Sequence, residues 1–206
     1  MTINSVKIKN FRNIADLSFT ADNGVNVIYG ENAQGKTNIL ESIWLFTGCK
    51  SFRGAKDNEL IKFGEDFAKI NLDFSDNIRE KKSEIIIADK KKNASLNGVS
   101  LRSTAELIGS FYAVIFSPVH LSLIKDGPAA RRKFLDTALC QLKPSYAEHL
   151  AGYKRALIQR NALLKDLHLN SELYDMLDTW DDQLARYRKI IEDTYPDYNK
   201  MYVFLS

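Results

Sequence analysis

One short segment constrains this chain more than any other part of its 206 residues. Gly30–Thr37 reads Gly-Glu-Asn-Ala-Gln-Gly-Lys-Thr, which fits the phosphate-binding pattern G-x-x-x-x-G-K-[ST]. Gly30 and Gly35 permit a tight turn whose N–H groups converge on a phosphate, because glycine tolerates backbone conformations that other residues avoid. In such loops the Lys36 ammonium reaches the β- and γ-phosphates, and the Thr37 hydroxyl holds Mg²⁺. The segment therefore predicts a site for ATP and Mg²⁺.

The sequence on either side of the loop favours this interpretation over a chance match. Residues 24–29 are mostly apolar and typical of a β-strand that runs into the loop. From Thr37 to Phe46, apolar residues at spacings of three and four predict a helix, whose positive end would face the phosphates. Strand, loop and helix in this order is the setting that the motif requires. The residues predicted to bind nucleotide are Gly30, Glu31, Asn32, Ala33, Gln34, Gly35, Lys36 and Thr37, with Thr37 also the predicted metal ligand.

Composition excludes several classes of protein. Apolar residues make up 45% of the chain and charged residues 27%, which is typical of globular domains. The two cysteines, Cys49 and Cys140, lack the spacing of a metal site and indicate a reducing compartment. The N-terminal residues have no apolar leader core, and no apolar run approaches the roughly 18 residues of a membrane span. These features predict a cytoplasmic protein with no membrane partner.

The first 120 residues alternate strand and turn signals, and we interpret them as one domain. We predict an α/β fold in which a P-loop ATPase head lobe combines a parallel core sheet with an antiparallel β-subdomain. The apolar runs 24–29 and 111–116 are the predicted core strands. The other predicted strands are 6–11 and 17–19 as paired edge strands, 68–74 and 83–87, and a hairpin from 94 to 101 that turns at Asn97-Gly98.

Residues 121–206 are predicted to form a helical domain. Pro128 is well placed to begin a helix that ends near Leu142, and Pro144 to begin a longer one. Asn170-Ser171 then separates two apolar seams, which predicts an antiparallel helical hairpin, and Tyr195-Pro196 should break or kink the second helix. The seams comprise Leu150, Tyr153, Leu157, Arg160, Leu164 and Leu167 in the first helix, and Leu173, Leu177, Trp180, Leu184, Tyr187 and Ile191 in the second.

Charge is distributed unevenly in this helical part, although the whole chain carries a formal charge of only +3. Residues 125–165 have a net charge of +6, and residues 166–206 have a net charge of −5. The basic block could be a surface for a polyanion such as DNA. Alternatively, the two blocks could attract each other within the helical hairpin. The charge pattern alone leaves both interpretations open.

Longer motifs resemble those of a known family. The loop continues as Gly-x-Asn-x-Gln-Gly-Lys-Thr-Asn-Ile-Leu-Glu, and Asn10-Phe11-Arg12-Asn13 precedes it. Together these motifs resemble the heads of SMC-like ATPases, a branch of the ABC class. A second block runs from Phe116-Ser117-Pro118 through residues 125–136 to residues 159–165, and it resembles the RecF family of bacterial recombination mediators. The resemblance covers nearly the whole chain.

This resemblance implies an ATP-dependent DNA-binding protein of recombinational repair. Such proteins act at single-strand gaps and at junctions of single- and double-stranded DNA, and they support replication and the SOS response. Their heads form homodimers on ATP and work with the mediators RecO and RecR.

The resemblance also suggests roles for individual basic residues. Arg12 and Asn13 would approach the nucleotide, although ordinary turn chemistry is the alternative for this pair. Arg53 belongs to a Ser-Phe-Arg segment similar to the arginine loop of SMC heads, and it would lie near the phosphates or DNA. The alternative for Arg53 is a solvated loop side chain. The block around Arg131, Arg132 and Lys133 would contact DNA.

The sequence departs from the family pattern at two places. Ala33 stands where a glycine is usual, and Val119-His120 stands where the family has two acidic residues. If position 33 needs a positive φ, alanine there costs about 1 kcal/mol. Without the two acidic residues, Val119-His120 is not expected to contact water or Mg²⁺ as the family's pair would.

ABC-class hydrolysis also needs a Ser-rich signature motif and a Walker B acidic pair, and this sequence contains neither. Ile85–Asp89 imitates a Walker B strand, but it has a single acid and runs into Lys90-Lys91-Lys92. We therefore expect the chain to be the N-terminal half of a longer protein that binds ATP·Mg²⁺ without efficient hydrolysis. Two alternatives are a different P-loop enzyme, such as a kinase, and a module that holds nucleotide without turnover.

Overall fold

The computed structural model describes residues 1–76, 78–117, 127–166 and 174–194. The chain forms two compact units, Met1–Ile115 and Phe116–Ser206. The first unit is rich in β-structure and the second is helical. Several sequence-based predictions lie outside the described residues: those at Val119-His120, Leu167, Asn170-Ser171, Leu173 and Tyr195-Pro196.

A single antiparallel sheet forms the framework of the first unit. Its strands are β1 (Thr2–Phe11), β2 (Ile14–Thr20), β3 (Phe67–Ser75), β4 (Glu80–Ala88), β5 (Lys91–Leu96) and β6 (Val99–Ser100). They lie in the order β2-β1-β3-β4-β5-β6, and every neighbouring pair is antiparallel. In β3 every second side chain is buried, as its alternation of apolar and polar residues predicts. Because one face of β3 is buried and the other faces solvent, a shift of one residue would expose its apolar side chains, and this fixes its pairing with β1 and β4.

The core lies on the apolar face of this sheet. Helix α1 (Lys36–Trp44), which follows the phosphate-binding loop, continues into a 3₁₀ turn (Leu45–Thr47). Leu45 and Phe46 of that turn are fully enclosed in the core, so the end of α1 is held against the sheet. Each such side chain contributes about 1.5–3 kcal/mol through burial. The other members of the core are Val6, Ile8, Phe11, Ile14, Leu60, Ala68, Ile70, Leu72, Phe74, Ile85, Ile87, Ala94, Leu107 and Phe111.

Two tight turns connect β4, β5 and β6. Asn97 and Gly98 both have positive φ, 52° and 80°, which is the geometry of the predicted two-residue hairpin turn. Asp89 and Lys90, with φ of 50° and 60°, form an equivalent turn between β4 and β5. Residues 85–88 are therefore the end of β4, and Asp89 lies in the turn beside Lys90, which agrees with the β-strand and basic turn that the sequence indicated.

The parallel core strands expected beside the loop are not seen among the described residues. Residues 24–29 and 111–116 are not β-strands here, and Val25, Tyr29 and Val114 are about nine-tenths exposed. An apolar run indicates a tendency toward burial, but a strand also needs a neighbouring strand to complete its hydrogen bonds, and the described residues supply none. The edge position predicted for residues 6–11 is also wrong, since β1 pairs with β2 on one side and β3 on the other.

Three helices make up the described part of the second unit: α2 (Pro128–Leu142), α3 (Pro144–Asp166) and α4 (Tyr174–Thr194). Both predicted helix starts at proline are confirmed. Helices α3 and α4 form an antiparallel hairpin, in which Arg160 forms an ion pair with both carboxylate oxygens of Asp181. The guanidinium lowers the pKa of Asp181. The opposite charges of the two blocks thus meet across the hairpin at this pair.

The seam on α3 differs in part from the predicted one. Leu164 is exposed, whereas Gly152 and Ala156 are buried against α4. A Cβ atom at Gly152 would lie 2.5 Å from Cζ of Tyr187, so the absence of a side chain lets the helices approach closely. No helix in the described ranges is both long enough and apolar enough to cross a membrane.

Candidate functional site

The phosphate-binding loop turns into α1 at a single glycine. Gly35 has a φ of 97°, in the left-handed region, and its carbonyl accepts from the N–H groups of Asn38 and Ile39 at 2.9 and 3.0 Å. No side chain caps this first turn of α1. The amide groups of the helix start, with their partial positive charge, therefore remain available to an anion.

Lys36 lies across the mouth of the loop. Its ammonium Nζ donates to the carbonyl oxygens of Gly30 and Glu31, both at 2.7 Å. These bonds hold the ammonium at the loop, where it is still accessible to solvent and to a ligand. A cation in this position is suited to neutralising phosphate oxygens.

The loop contains a strained residue at the position where the sequence departs from its family. Ala33 has a φ of 66°, so it occupies the left-handed conformation that the usual glycine would adopt freely. The cost for alanine is about 1 kcal/mol. Asn13 Nδ2 donates to the Ala33 carbonyl at 2.8 Å, and this bond supports the strained turn.

Asn13 also connects the loop to the first turn of α1. Its Oδ1 accepts from Asn38 Nδ2 at 2.7 Å. A Cβ atom at Gly35 would lie only 2.7 Å from Asn13 Oδ1. Gly35 therefore serves two purposes, since it allows the positive φ and leaves room for the Asn13 side chain.

A buried acidic residue anchors the arginines beside the loop. The Glu41 side chain is fully enclosed, and Arg12 binds it through Nε at 3.0 Å and Nη2 at 3.1 Å. Ser51 Oγ donates to the same carboxylate at 2.5 Å, and Arg53 Nη1 lies 3.6 Å from it. Sequence reasoning included Glu41 in the extended motif but gave it no role. The signal that could have identified it was an acidic residue among the apolar positions of α1.

The phosphate-binding loop, the first turn of α1 and Arg53 line a small pocket of about 240 Å³. A cavity of about 450 Å³ on the α3–α4 hairpin is larger, but it is lined mainly by apolar and amide side chains and lies far in the chain from the phosphate-binding motif. The smaller pocket is therefore the better candidate for a phosphate site, because cationic and hydroxyl side chains line it. Its lining residues are Asn32, Ala33, Gly35, Lys36, Thr37, Asn38 and Arg53.

The residues of this pocket fit a nucleotide with its metal ion. The exposed Thr37 hydroxyl is in the lining, and Mg²⁺ usually takes few protein ligands beside substrate phosphates and water. Within the described ranges, no group of three or more His, Cys, Asp or Glu side chains forms a separate metal site. Thr37 would hold the ion, which would neutralise phosphate charge. Gly30, Glu31 and Gln34 belong to the loop but do not line the pocket. Glu31 contributes its carbonyl oxygen, which accepts a hydrogen bond from the Lys36 ammonium.

The other predicted site residues fall into two groups. Arg12, Asn13 and Arg53 lie beside the loop, and their contact with nucleotide or DNA stays a prediction. Arg131, Arg132 and Lys133 lie in the first turns of α2 in the second unit, where Arg132 and Lys133 are exposed and Arg131 is half-buried. Asp136, on the next turn of α2, accepts a hydrogen bond from the Tyr146 hydroxyl at 2.7 Å.

Neither Cys49 nor Cys140 forms a disulfide bond. Burial raises the pKa of the Cys49 thiol. Neither residue belongs to the pocket.

Comparison with known proteins shows a consistent pattern. Residues 5–194 match the family described as AAA domain. The chain is 43% identical over 188 residues to the DNA replication and repair protein RecF of Agathobacter rectalis, which covers 91% of this chain and 52% of that protein. The chain thus spans about half the length of the curated relatives it matches.

Solved structures agree with the sequence matches. The structure of the recombination mediator protein RecF with ATP, from the RecFOR pathway, has a TM-score of 0.90 at 38% identity and covers 97% of this chain and 54% of that chain. The Smc head domain of Pyrococcus furiosus has a TM-score of 0.53 at 17% identity and covers 99% of this chain and 61% of that chain. The second likeness supports the SMC-like head fold alone.

Proposed function

We propose a function from one premise: this chain belongs to the AAA domain family and, within it, to the RecF proteins. The proposal is that the chain binds ATP·Mg²⁺ in the Gly30–Thr37 loop and contacts DNA in recombinational repair. The observation that carries the ATP site is the position of Lys36, whose ammonium is bonded inside a loop that opens onto the start of α1. That combination of cation and uncapped amide groups is suited to a triphosphate.

We also propose that this chain binds ATP without appreciable hydrolysis. Phosphoryl transfer to water depends on a group that positions the water and on neutralisation of charge in the transition state. Among the described residues, the pocket lining contains no carboxylate side chain that could position water. Lys36 and Thr37 supply binding, but the chemical step would lack its base.

The first prediction tests binding and turnover together. Calorimetry should show ATP·Mg²⁺ binding, and a phosphate-release assay should show a flat trace. ATP at about 100 times its Kd should also stabilise the fold by about 2.7 kcal/mol, which a thermal-shift experiment would detect. Robust turnover would mean that an acid outside the pocket lining, such as Asp89, is catalytic. Absence of binding would contradict the proposed function itself.

For DNA, we propose that Arg131, Arg132 and Lys133 contribute phosphate contacts. Lys133 and Arg132 are exposed on the first turns of α2, in the part of the chain with the strongest positive charge. Consecutive residues of a helix point in different directions, so fewer than three of them can face one duplex. The expected contribution is therefore one or two phosphate contacts.

The second prediction follows from that count. Replacing all three residues with alanine should weaken DNA binding and reduce the slope of log K against log salt by about one to two units. Fluorescence anisotropy on gapped DNA, measured with ATP, with ADP and without nucleotide, would check this. Lys7, Lys9 and Lys82 provide a matched control, because they are exposed on the sheet and their replacement removes the same charge. An unchanged slope with a lower melting temperature would show that the basic triplet is structural.

Finer features come from the resemblance to RecF proteins and form part of the same proposal. They are preference for single-strand gaps and junctions, support for replication and the SOS response, cooperation with RecO and RecR, ATP-dependent homodimerisation, and a cytoplasmic location. The competing hypothesis of a P-loop kinase predicts transfer of the γ-phosphate to a small molecule. Nucleotide-dependent DNA affinity without phosphate transfer would decide between the two.

A further inference from the structure

A carboxylate lies enclosed between two arginines of the nucleotide site. Glu41 follows Lys36 and Thr37 along α1, and its side chain has no exposed surface. Burial of a carboxylate is costly unless cations and hydrogen-bond donors replace the lost water. Glu41 has both, because Arg12 binds both of its oxygens and Ser51 donates to Oε1.

The two arginines are held to different degrees. Arg12 makes a two-point contact with Glu41 and also donates to the Glu59 carbonyl at 3.0 Å, and its side chain is only 20% exposed. Arg53 is 46% exposed and lies 3.6 Å from Glu41, beyond a normal hydrogen bond. Its direct bond is to Asn38 Oδ1, at 2.8 Å. Arg12 is therefore fixed, whereas Arg53 is tethered at the pocket that it lines.

Glu41 also joins three separate segments of the chain. Arg12 belongs to the turn between β1 and β2, where its φ of 56° is an uncommon conformation for a residue other than glycine. Ser51 and Arg53 belong to the loop after α1, and Ser51 Oγ accepts from the N–H of Arg53 at 3.1 Å. A change at Glu41 would thus reach both arginines and the helix that carries Lys36.

We propose that Glu41 is a positioning residue of the nucleotide site, which fixes Arg12 and presents Arg53 to the phosphate pocket. The inference rests on the proposed ATP site and goes beyond it, because it assigns a role to a residue that does not touch the pocket. Glu41 acts on bound nucleotide through the arginines. Removal of Glu41 and removal of Arg53 must therefore have effects on ATP affinity that are not additive.

A double-mutant cycle tests this inference. ATP·Mg²⁺ affinity is measured by calorimetry for wild type, Glu41→Gln, Arg53→Ala and the double variant. Each single substitution should weaken binding about tenfold, the effect of losing roughly one charge-assisted contact, and the double variant should be only slightly weaker than either. Glu84→Gln is the matched control, because Glu84 pairs with Lys69 at 2.5 Å on the sheet, away from the pocket. This control should bind ATP as wild type does.

The outcomes separate this inference from the proposed function. Wild type that fails to bind ATP overturns both, whereas wild type that binds with Glu41→Gln unchanged overturns the inference alone. Additive losses, about a hundredfold in the double variant, would mean that Glu41 has only a structural role. If Glu41→Gln does not fold, Glu41→Asp keeps the charge but withdraws it by one methylene. A second cycle then combines Glu41→Asp with Arg53→Ala, and additive losses of ATP affinity again overturn the inference.

Discussion

Replacing Lys36 with alanine is expected to abolish measurable ATP binding while the fold remains intact. The ammonium is the only side-chain cation that donates into the loop in the described structure, through its bonds to Gly30 and Glu31. Charge-assisted bonds to phosphate are worth roughly 1.5–3 kcal/mol, so even one such contact accounts for a loss of about ten- to a hundredfold. A lysine that meets two phosphates should exceed the upper end of this range.

Calorimetry on wild type and Lys36→Ala measures this effect, and circular dichroism verifies the fold. Lys50→Ala is a suitable control, because Lys50 is exposed and contributes its backbone carbonyl, not its ammonium, to the bond with Trp44. Equal ATP affinities in wild type and Lys36→Ala would refute the assignment of the loop.

Gly35→Ala should be nearly as damaging to nucleotide binding, for a steric reason. The φ of 97° is unfavourable for alanine, and the added methyl group would lie 2.7 Å from Asn13 Oδ1. Asn13 must then move, which breaks its bonds to Ala33 and Asn38 and releases the strained part of the loop. We expect a loss of about 1–3 kcal/mol in folding free energy and a loss of about a hundredfold in ATP affinity.

Gly98→Ala separates backbone strain from the steric effect. Gly98 has a φ of 80°, but a Cβ atom there would meet nothing within 4 Å, and the residue lies in the β5–β6 turn. This variant should lose about 1 kcal/mol of stability and keep its ATP affinity. Chemical denaturation and calorimetry provide the two measurements. Normal ATP binding by Gly35→Ala would show that Asn13 yields easily and that the loop does not depend on it.

Features with local causes could be predicted from the sequence. Pro128 and Pro144 begin helices because the first N–H groups of a helix make no bond within it, so proline loses no hydrogen bond at that position. Asn97-Gly98 forms a hairpin turn because both residues accept a positive φ. The turn at Gly35 also has a local cause, because glycine accepts the positive φ with which the loop enters α1.

Features that depend on distant contacts could not be predicted in this way. Arg12 and Glu41 are 29 positions apart, and only the folded sheet brings the β1–β2 turn to the side of α1. No local pattern therefore indicated that Glu41 links the arginines. The prediction of β-strands at residues 24–29 and 111–116 was wrong for a related reason, because a strand forms only where another strand pairs with it.

Several apolar side chains of these two segments are exposed, among them Val25, Tyr29, Val114 and Phe116, and this has a consequence for the purified protein. Residues 25–29 and 112–116 carry no charge and no proline, and their β-branched and aromatic side chains favour cross-β stacking between molecules. Natural sequences usually flank such stretches with charged gatekeeper residues. Glu31 stands close to the first stretch, whereas no Asp, Glu, Lys or Arg lies between Glu106 and Lys125 around the second. We therefore expect the exposed side chains of these two stretches to promote association between molecules at high protein concentration.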